Sequence, residues 1–307
     1  MTQRELAAYA IENNFASVLY DEPLSAHSSL KIGGACDIML LPKETDDAVE
    51  LYCCAKRAGI PVFVLGNGTN LLFDDEGFRG VIIKTAGMSC KVKTEEKQLT
   101  ADSGASLTRV ASTAEKAGLS GFEFAYGIPG TVGGAVYMNA GAYGGEIQDI
   151  LVSTDYVDEN GELCTIDKQT HQFGYRKSVF MEKDAFIVRS RFTLFNGGHD
   201  EIRLKMAHFM QQRREKQPLQ YPSAGSIFKR PDGYFAGRLI EEAGLRGTSV
   251  GGAMISEKHA GFIINTGGAT CAQVLELIEL VKKRVYENSG VTLECEVKYI
   301  QPTKMKQ

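Results

Sequence analysis

The stretch 127–146, GIPGTVGGAVYMNAGAYGGE, limits the fold more than any other: seven of its twenty residues are glycine, against 33 in the 307 of the chain. Glycine loses the most freedom on ordering and has no side chain to pack. Such a run is therefore either a flexible linker or a backbone held close against something. Flexible linkers are rich in serine or charge, whereas here Ile128, Val132, Ala135, Val136, Tyr137 and Met138 stand among the glycines. Apolar anchors at that density predict a packed loop whose backbone approaches a ligand, with a structural cluster of turns as the other reading.

The loop lies in a chain long enough for two or three domains. With 43% hydrophobic and 23% charged residues, the composition is that of a globular protein rather than a disordered one. The charge of 34 − 38 = −4 provides no general basic field for nucleic acid or an acidic membrane, although local basic spots could hold an anionic substrate. Charges run through the first residues, MTQRELAAYAIENNFA, which do not read as a signal peptide. No run approaches the ~20 apolar residues that span a bilayer. Seven cysteines, an odd number with no C-x-x-C, indicate neither a disulfide framework nor a zinc site. Reduced thiols and a cytoplasmic location are expected, with no metal.

The patterning predicts a helix over 4–13, a strand over 36–42 and a helix from Thr45 to Ala58, with Thr45 as N-cap and Gly59 and Pro61 closing it. VFVLG (62–66) and GVIIK (80–84) read as strands, completing a small α/β module. A second module begins near Gly87, with a helix over 106–118. It continues through a hairpin over 151–167 turning at Asn160-Gly161 and a strand over 185–195. A boundary is expected near 197, giving domains 1–86, 87–197 and 198–307. The last of these carries helices over 201–215 and 236–245, a strand GFIIN (261–265) and a T-x-x-Q capping box at Thr270 and Gln273. Behind the box Val274, Leu277, Ile278, Val281 and Val285 repeat at helical spacing, and VTLECEVKYI (291–300) alternates as a final strand.

Several stretches could carry chemistry. LGNGTNLLF places Gly66, Asn67, Gly68, Thr69 and Asn70 directly after a strand, either as a polar strand-end turn or as backbone N–H groups aimed at a phosphate. It is neither G-x-G-x-x-G nor a Walker loop, so a Rossmann-type domain is not supported. FGYRKSVF (173–180) sets Arg176 among aromatics, where it is either solvated or able to grip a carboxylate bidentately. QQRREKQPLQYPSAGSIFKRP (211–231) holds the densest basic group, Arg213, Arg214, Lys216, Lys229 and Arg230, suited to a phosphate or carboxylate. Ser226 within it has no G-x-S-x-G elbow, which argues against a hydrolase nucleophile. In 291–300, Glu294, Glu296 and Lys298 share the face opposite Val291, Leu293, Cys295 and Val297; alone, that is a wet face on an edge strand.

The order of the motifs is more specific than any one of them. SSLKIGGACD, LGNGTNLL, GIPGTVGGAVYMNAGAYG, FGYRKSVF, YPSAGSIFKRP, GFIIN and LECEVKYI, taken in succession over nearly the whole chain, closely resemble the UDP-N-acetylenolpyruvoylglucosamine reductase family. The chain is similar to its shorter subclass, because only about seventy positions separate Ser226 from Glu296. The resemblance implies an α+β fold. A two-module FAD-binding domain of the vanillyl-alcohol-oxidase (PCMH) type would be followed by a C-terminal α+β substrate-binding domain. It implies non-covalent FAD, with NADPH as co-substrate in the same cleft and a ping-pong order. The reaction would reduce UDP-N-acetylglucosamine enolpyruvate to UDP-N-acetylmuramate for peptidoglycan precursor synthesis, by hydride addition at C3 and protonation at C2.

By the same resemblance Arg176 faces the substrate carboxylate, Ser226 gives the proton to C2, and Glu296, kept protonated, stabilises the enolate-like charge. The cofactor residues it implies are Gly66, Asn67, Gly68, Thr69, Asn70, Gly127, Ile128, Pro129, Gly130, Thr131, Gly133, Gly134, Asn139, Ala140 and Gly141. Tyr175, Arg213 or Arg214, Lys216, Lys229 and His259 are implied substrate contacts. Thr69 stands where serine is common and keeps the hydroxyl. The partners are the nucleotide sugar and NADPH, with no nucleic acid or membrane insertion, in a monomer or weak homo-oligomer. The competing expectations are a flavin oxidase on the same fold, with His27 or Cys36 as a covalent tether, and a non-enzymatic binding module for a nucleotide or another wall precursor.

Overall fold

Two apolar cores organise the chain. In a computed structural model, which describes residues 1–302, one unit comprises Met1–Asp21, Asp37–Asn67 and Gly80–Arg213. The other comprises Glu22–Cys36, Gly68–Arg79 and the chain from Arg214 onward. The consecutive domains 1–86, 87–197 and 198–307 therefore give way to a discontinuous division. Leu30, Ile32 and Leu72 explain why, because their side chains belong to the second core, with Val274, Leu277 and Ile278. Hydrophobic burial is indifferent to sequence order. The mixed helix and strand content makes the fold α+β.

In the first unit the expected helices form over Gln3–Glu12, Thr45–Arg57 and Leu107–Lys116. Thr45 is not the N-cap. Glu44 caps the helix, and the Thr45 hydroxyl donates to Asp102 Oδ2 at 3.0 Å. Asp102, 1% exposed, also accepts from Lys91 N at 2.7 Å and Arg189 Nε at 2.7 Å. A buried carboxylate needs such partners, and this demand takes the threonine from the cap. Four strands run in the order Ala16–Pro23, Ala35–Pro42, Phe78–Lys84, Val62–Leu65, the last two parallel. Ala16–Pro23 was not expected, since its charges and Pro23 obscure any alternation.

A five-stranded antiparallel sheet orders Leu163–Asp167, Leu151–Val157, Phe186–Thr193, Gln98–Asp102 and Val92–Glu95. Its first hairpin closes through Asp158, whose carboxylate accepts from Asn160 N and Glu162 N, so the loop is wider than a two-residue Asn-Gly turn. Beneath the sheet His171 is fully buried. Asp167 O, which can only accept, lies 2.6 Å from Nδ1 and places the proton there. Nε2 then accepts from the Thr154 hydroxyl at 2.9 Å. Burial pushes the His171 pKa down, against the opposing pull of Asp167. The unfolded chain thus takes up the proton near its ordinary ~6.5 while the folded chain does not. Stability is retained above that pH and falls below it, by at most about 1.4 kcal/mol per pH unit for one proton. Urea unfolding at pH 7.5 and 5.5 should show the fall, and His171→Phe should flatten it.

The second unit builds an antiparallel sheet in the order Ser223–Ser226, Phe262–Asn265, Ala253–Ile255, Ser249–Val250, backed by the helices Ala236–Glu242 and Cys271–Ser289. The predicted capping box is present at Thr270 and Gln273. Asp75 reinforces that helix start, accepting from Cys271 N at 2.7 Å and Ala272 N at 3.0 Å. The continuous strand expected over 291–300 is shorter. Only Lys298–Ile300 is a strand, parallel to Leu71–Phe73, while Cys295 makes an isolated bridge to Phe228. Alternation recorded burial here, not a ladder. Among the described residues, no helix is long and apolar enough to cross a membrane.

Candidate active site

The glycine-rich stretch is neither linker nor simple turn cluster. Thr131 caps a short helix, Val132–Met138, and its N-terminal end is tied down by Val132 N to Ala105 O (2.9 Å) and Gly133 N to Ser103 O (2.8 Å). Asn139 ends the helix in the left-handed region (φ 44°). Its N–H donates to Val136 O and that of Ala140 to Ala135 O, the Schellman pattern. The turn after the first parallel strand meets this loop within the same unit. Asn67 Nδ2 donates to Pro129 O at 2.8 Å, and a Cβ on Gly66 would lie 2.5 Å from Thr131 Oγ1.

Individual glycines answer to different constraints. A Cβ on Gly133 would meet Ser103 Cβ at 3.0 Å, and one on Gly127 would meet Arg213 Cδ at 2.4 Å. On Gly130 and Gly134 the nearest atoms stand at 3.7 Å, ordinary contact, and neither has a positive φ. Among the described residues, a Cβ at 130 or 134 would make only ordinary contact, so packing within the chain leaves glycine there unexplained. Ser103, buried beside Gly133, has an Oγ with no hydrogen-bond partner. An unpaired buried hydroxyl costs free energy, and a bound group with a polar atom there would recover it. Ser103 escaped the sequence reading because nothing local in DSG links it to a distant loop.

The same loop holds the candidate arginine. Gly174 and Lys177 exchange both backbone hydrogen bonds at 3.1 Å, leaving Tyr175 and Arg176 as the turn. Arg176 is left-handed (φ 53°), which costs a side-chain-bearing residue about 1 kcal/mol. The turn is pinned by Asn139 Nδ2 to Gly174 O (3.0 Å), Ser178 Oγ to Tyr137 O (2.7 Å) and Arg176 Nη2 to Gly141 O (2.9 Å). Asn139 is wholly buried, also donating to Glu146 and accepting from Gln148 N, so its side chain orders the loop. Strain held by surrounding structure is a mark of functional sites. Arg176→Gly should lower the thermal midpoint little, because relief of about 1 kcal/mol offsets the lost bond to Gly141 O. It should still lower kcat/KM at least about tenfold. A lower midpoint with full kcat/KM would reverse the assignment.

Arg213, from the end of the same unit, packs its chain on Gly127. Burial lowers its pKa, with Tyr143, stacked on Phe209 at 4.5 Å, acting in the other direction. Desolvation of a guanidinium is relieved by an anion, which favours Arg213 over the exposed Arg214 as the ligand contact. The basic residues of 211–231 otherwise have separate situations. Lys216 is exposed, Lys229 pairs with Glu294 at 3.1 Å, and Arg230 lies 3.9 Å over the Phe235 ring. Tyr175 is half exposed, its ring 5.1 Å from the Arg176 guanidinium.

In the second unit Ser226 ends the edge strand Ser223–Ser226 after a bulge. Three steps from Ser223 to Ser226 match two from Ile264 to Phe262, and Gly225 at φ +79° absorbs the extra residue. Bulges re-aim the side chain that follows, and Ser226 is that residue. The segment bearing Glu296 lies alongside. Glu296 N donates to Ile227 O at 2.7 Å, Lys229 N to Glu294 O at 2.9 Å, and Asn70 Nδ2 to Glu296 O at 3.1 Å. The serine and the glutamate, seventy positions apart, are thus brought onto neighbouring backbone. Burial and the charge of Lys229 lower the Lys298 pKa. His259 Nδ1 accepts from Gly261 N at 3.1 Å, and burial lowers its pKa. Gly68 O accepts from Ser29 N at 3.1 Å, and Thr69 is half-buried.

Comparison with known proteins gives matches over most of the chain. Residues 36–167 match the profile of an FAD binding domain, and residues 217–300 match that of the C-terminal domain of UDP-N-acetylenolpyruvoylglucosamine reductase. A reductase of that name from Caldanaerobacter subterraneus is 48% identical over 280 residues, 91% of this chain and 92% of its own. One from Lachnoclostridium phytofermentans is 45% identical over 287 residues, 92% and 93% of the two chains. The crystal structure of the Thermus caldophilus enzyme covers 92% of this chain and 98% of its own, with a TM-score of 0.75 at 35% identity. Identity at this level along nearly the whole length, joined to a matching C-terminal domain, places this chain in the UDP-N-acetylenolpyruvoylglucosamine reductase family.

Proposed function

We propose that the chain reduces UDP-N-acetylglucosamine enolpyruvate to UDP-N-acetylmuramate, a peptidoglycan precursor, with NADPH and non-covalent FAD. The observation that carries this reading is the seating of Glu296 against the strand of Ser226, through Glu296 N to Ile227 O. A hydroxyl and a carboxyl thus stand on adjoining backbone, one suited to give a proton to a carbanion-like centre and the other to stabilise its charge.

The residues of the first unit fit FAD. Gly66, Asn67, Pro129, Gly130, Thr131 and Gly134 would hold it, with the Asn67 amide bonded to Pro129 O and the buried Ser103 hydroxyl left without a partner. Bound there, FAD would supply the redox chemistry, hydride transfer between NADPH and C3 of the enolpyruvyl group. Arg176, fixed by its turn, binds the substrate carboxylate where negative charge accumulates. Ser226 donates its proton to C2; a hydroxyl suffices because an enolate-like carbon is strongly basic. Glu296, holding a proton, hydrogen-bonds the developing anion rather than repelling it. Arg213, Lys229 and His259 would meet the diphosphate and sugar.

A spectrum tests the reading. The purified protein should be yellow, bleach with NADPH, and regain colour on addition of the enolpyruvyl nucleotide sugar without oxygen. Protein that cannot be reconstituted with FAD would leave only a binding module. Colour that stays with the denatured chain would favour the oxidase.

A further inference from the structure

Asn70 belongs by sequence to the strand-end turn expected to hold a phosphate, yet two of its bonds run to the segment that carries Glu296. Its Nδ2 donates to Glu296 O at 3.1 Å, while its own carbonyl accepts from Lys298 N at 3.0 Å. The two bonds bracket Val297, which is buried in the second core. From there the parallel pairing of Leu71–Phe73 with Lys298–Ile300 continues in register. On the other side Glu296 N is held by Ile227 O, next to Ser226. Both peptide groups of Glu296 are therefore fixed, although the residue lies outside any strand.

We infer that Asn70 is a positioning residue for Glu296, its side-chain amide setting the place of that carboxyl relative to Ser226. This rests on the proposed function, because it matters only if Glu296 acts on the enolpyruvyl group. A residue between an isolated bridge at Cys295 and a strand beginning at Lys298 has no ladder of its own. The amide supplies what a ladder would. Without it the Glu296 carbonyl loses the Asn70 bond that fixes its place, and small displacements of a group that acts on the substrate cost rate steeply.

The test uses the full-length FAD-loaded protein, with bleaching by NADPH and recolouring by the nucleotide sugar timed separately. FAD affinity is measured by titrating the apoprotein. Asn70→Ala should slow recolouring about 10–100-fold, and Asn70→Asp, which turns an oxygen toward Glu296 O, at least as much. Bleaching and FAD affinity should hold within about twofold. In a Glu296→Ala background, Asn70→Ala should add less than about twofold, because its effect passes through that residue. Tyr299→Phe, which removes the hydroxyl bound to Asp74 on the same ladder, should leave both half-reactions alike.

FAD affinity that falls in step with recolouring would return Asn70 to the phosphate role and overturn the inference. So would full multiplication of the two effects in the double variant, or a Tyr299→Phe enzyme with the same split. Wild-type protein that bleaches but is not recoloured by the nucleotide sugar would overturn the functional reading itself, and this inference with it.

Discussion

Ser226→Ala is expected to leave bleaching by NADPH within about twofold of wild type while slowing recolouring by the enolpyruvyl substrate about 10²–10⁴-fold. The asymmetry follows from the position of the serine. Its hydroxyl is aimed by a bulge whose extra residue, Gly225, takes a left-handed conformation. In the proposed reaction only the second half puts a proton on carbon, so only that step would use the hydroxyl. Stopped-flow measurement of each half-reaction separates the outcomes, and equal slowing would remove Ser226 from the proton-donor role. Glu296→Gln should retain part of the recolouring rate because an amide still donates a hydrogen bond, whereas Glu296→Ala should not. Equal rates in the two variants would mean that Glu296 is a wet side chain.

Gly134→Ala is expected to weaken FAD binding about 10–100-fold while leaving the apoprotein as stable or more so. Glycine inside a helix is worse than alanine by about 1 kcal/mol, and the Gly134 Cβ would meet nothing closer than Thr131 Oγ1 at 3.7 Å. The chain alone would gain from alanine; a ligand lying against the loop would lose. Gly130→Ala should likewise cost FAD affinity without a fall in melting temperature, since its neighbours also stand at 3.7 Å. Gly133→Ala should differ in kind, lowering apoprotein stability through the 3.0 Å contact with Ser103. Titration with FAD and melting of the apoprotein measure both quantities on each variant. Loss of apoprotein stability at 134 with unchanged FAD affinity would make the loop purely architectural.

Much of the second unit was legible because its signals are local. The capping box at Thr270 and Gln273 and the apolar stripe through Val285 lie within a few turns of one helix, and each appears as expected. The glycine-rich run was legible as a packed loop for a similar reason, its anchors being interleaved with its glycines. Thr45 failed as an N-cap because Asp102, far along the chain, claims its hydroxyl. The strand expected over 291–300 failed because alternation reports which side is buried, and the backbone there bonds to Ile227, Lys229 and Asn70 instead of one continuous neighbour.

The sequence by itself determined the order of the motifs and, through the family they resemble, the α+β class and the candidate residues for the chemistry, since these rest on residue identity along the chain. Tertiary structure alone decided that two segments from the N-terminal part join the C-terminal core, and that Arg213 rather than Arg214 packs on Gly127. It also decided that Asn70 meets Glu296. The physical reason is common to all three. Burial and hydrogen-bond satisfaction are settled by whatever comes near in space, and pairs separated by dozens or hundreds of residues leave no mark in the spacing of either partner.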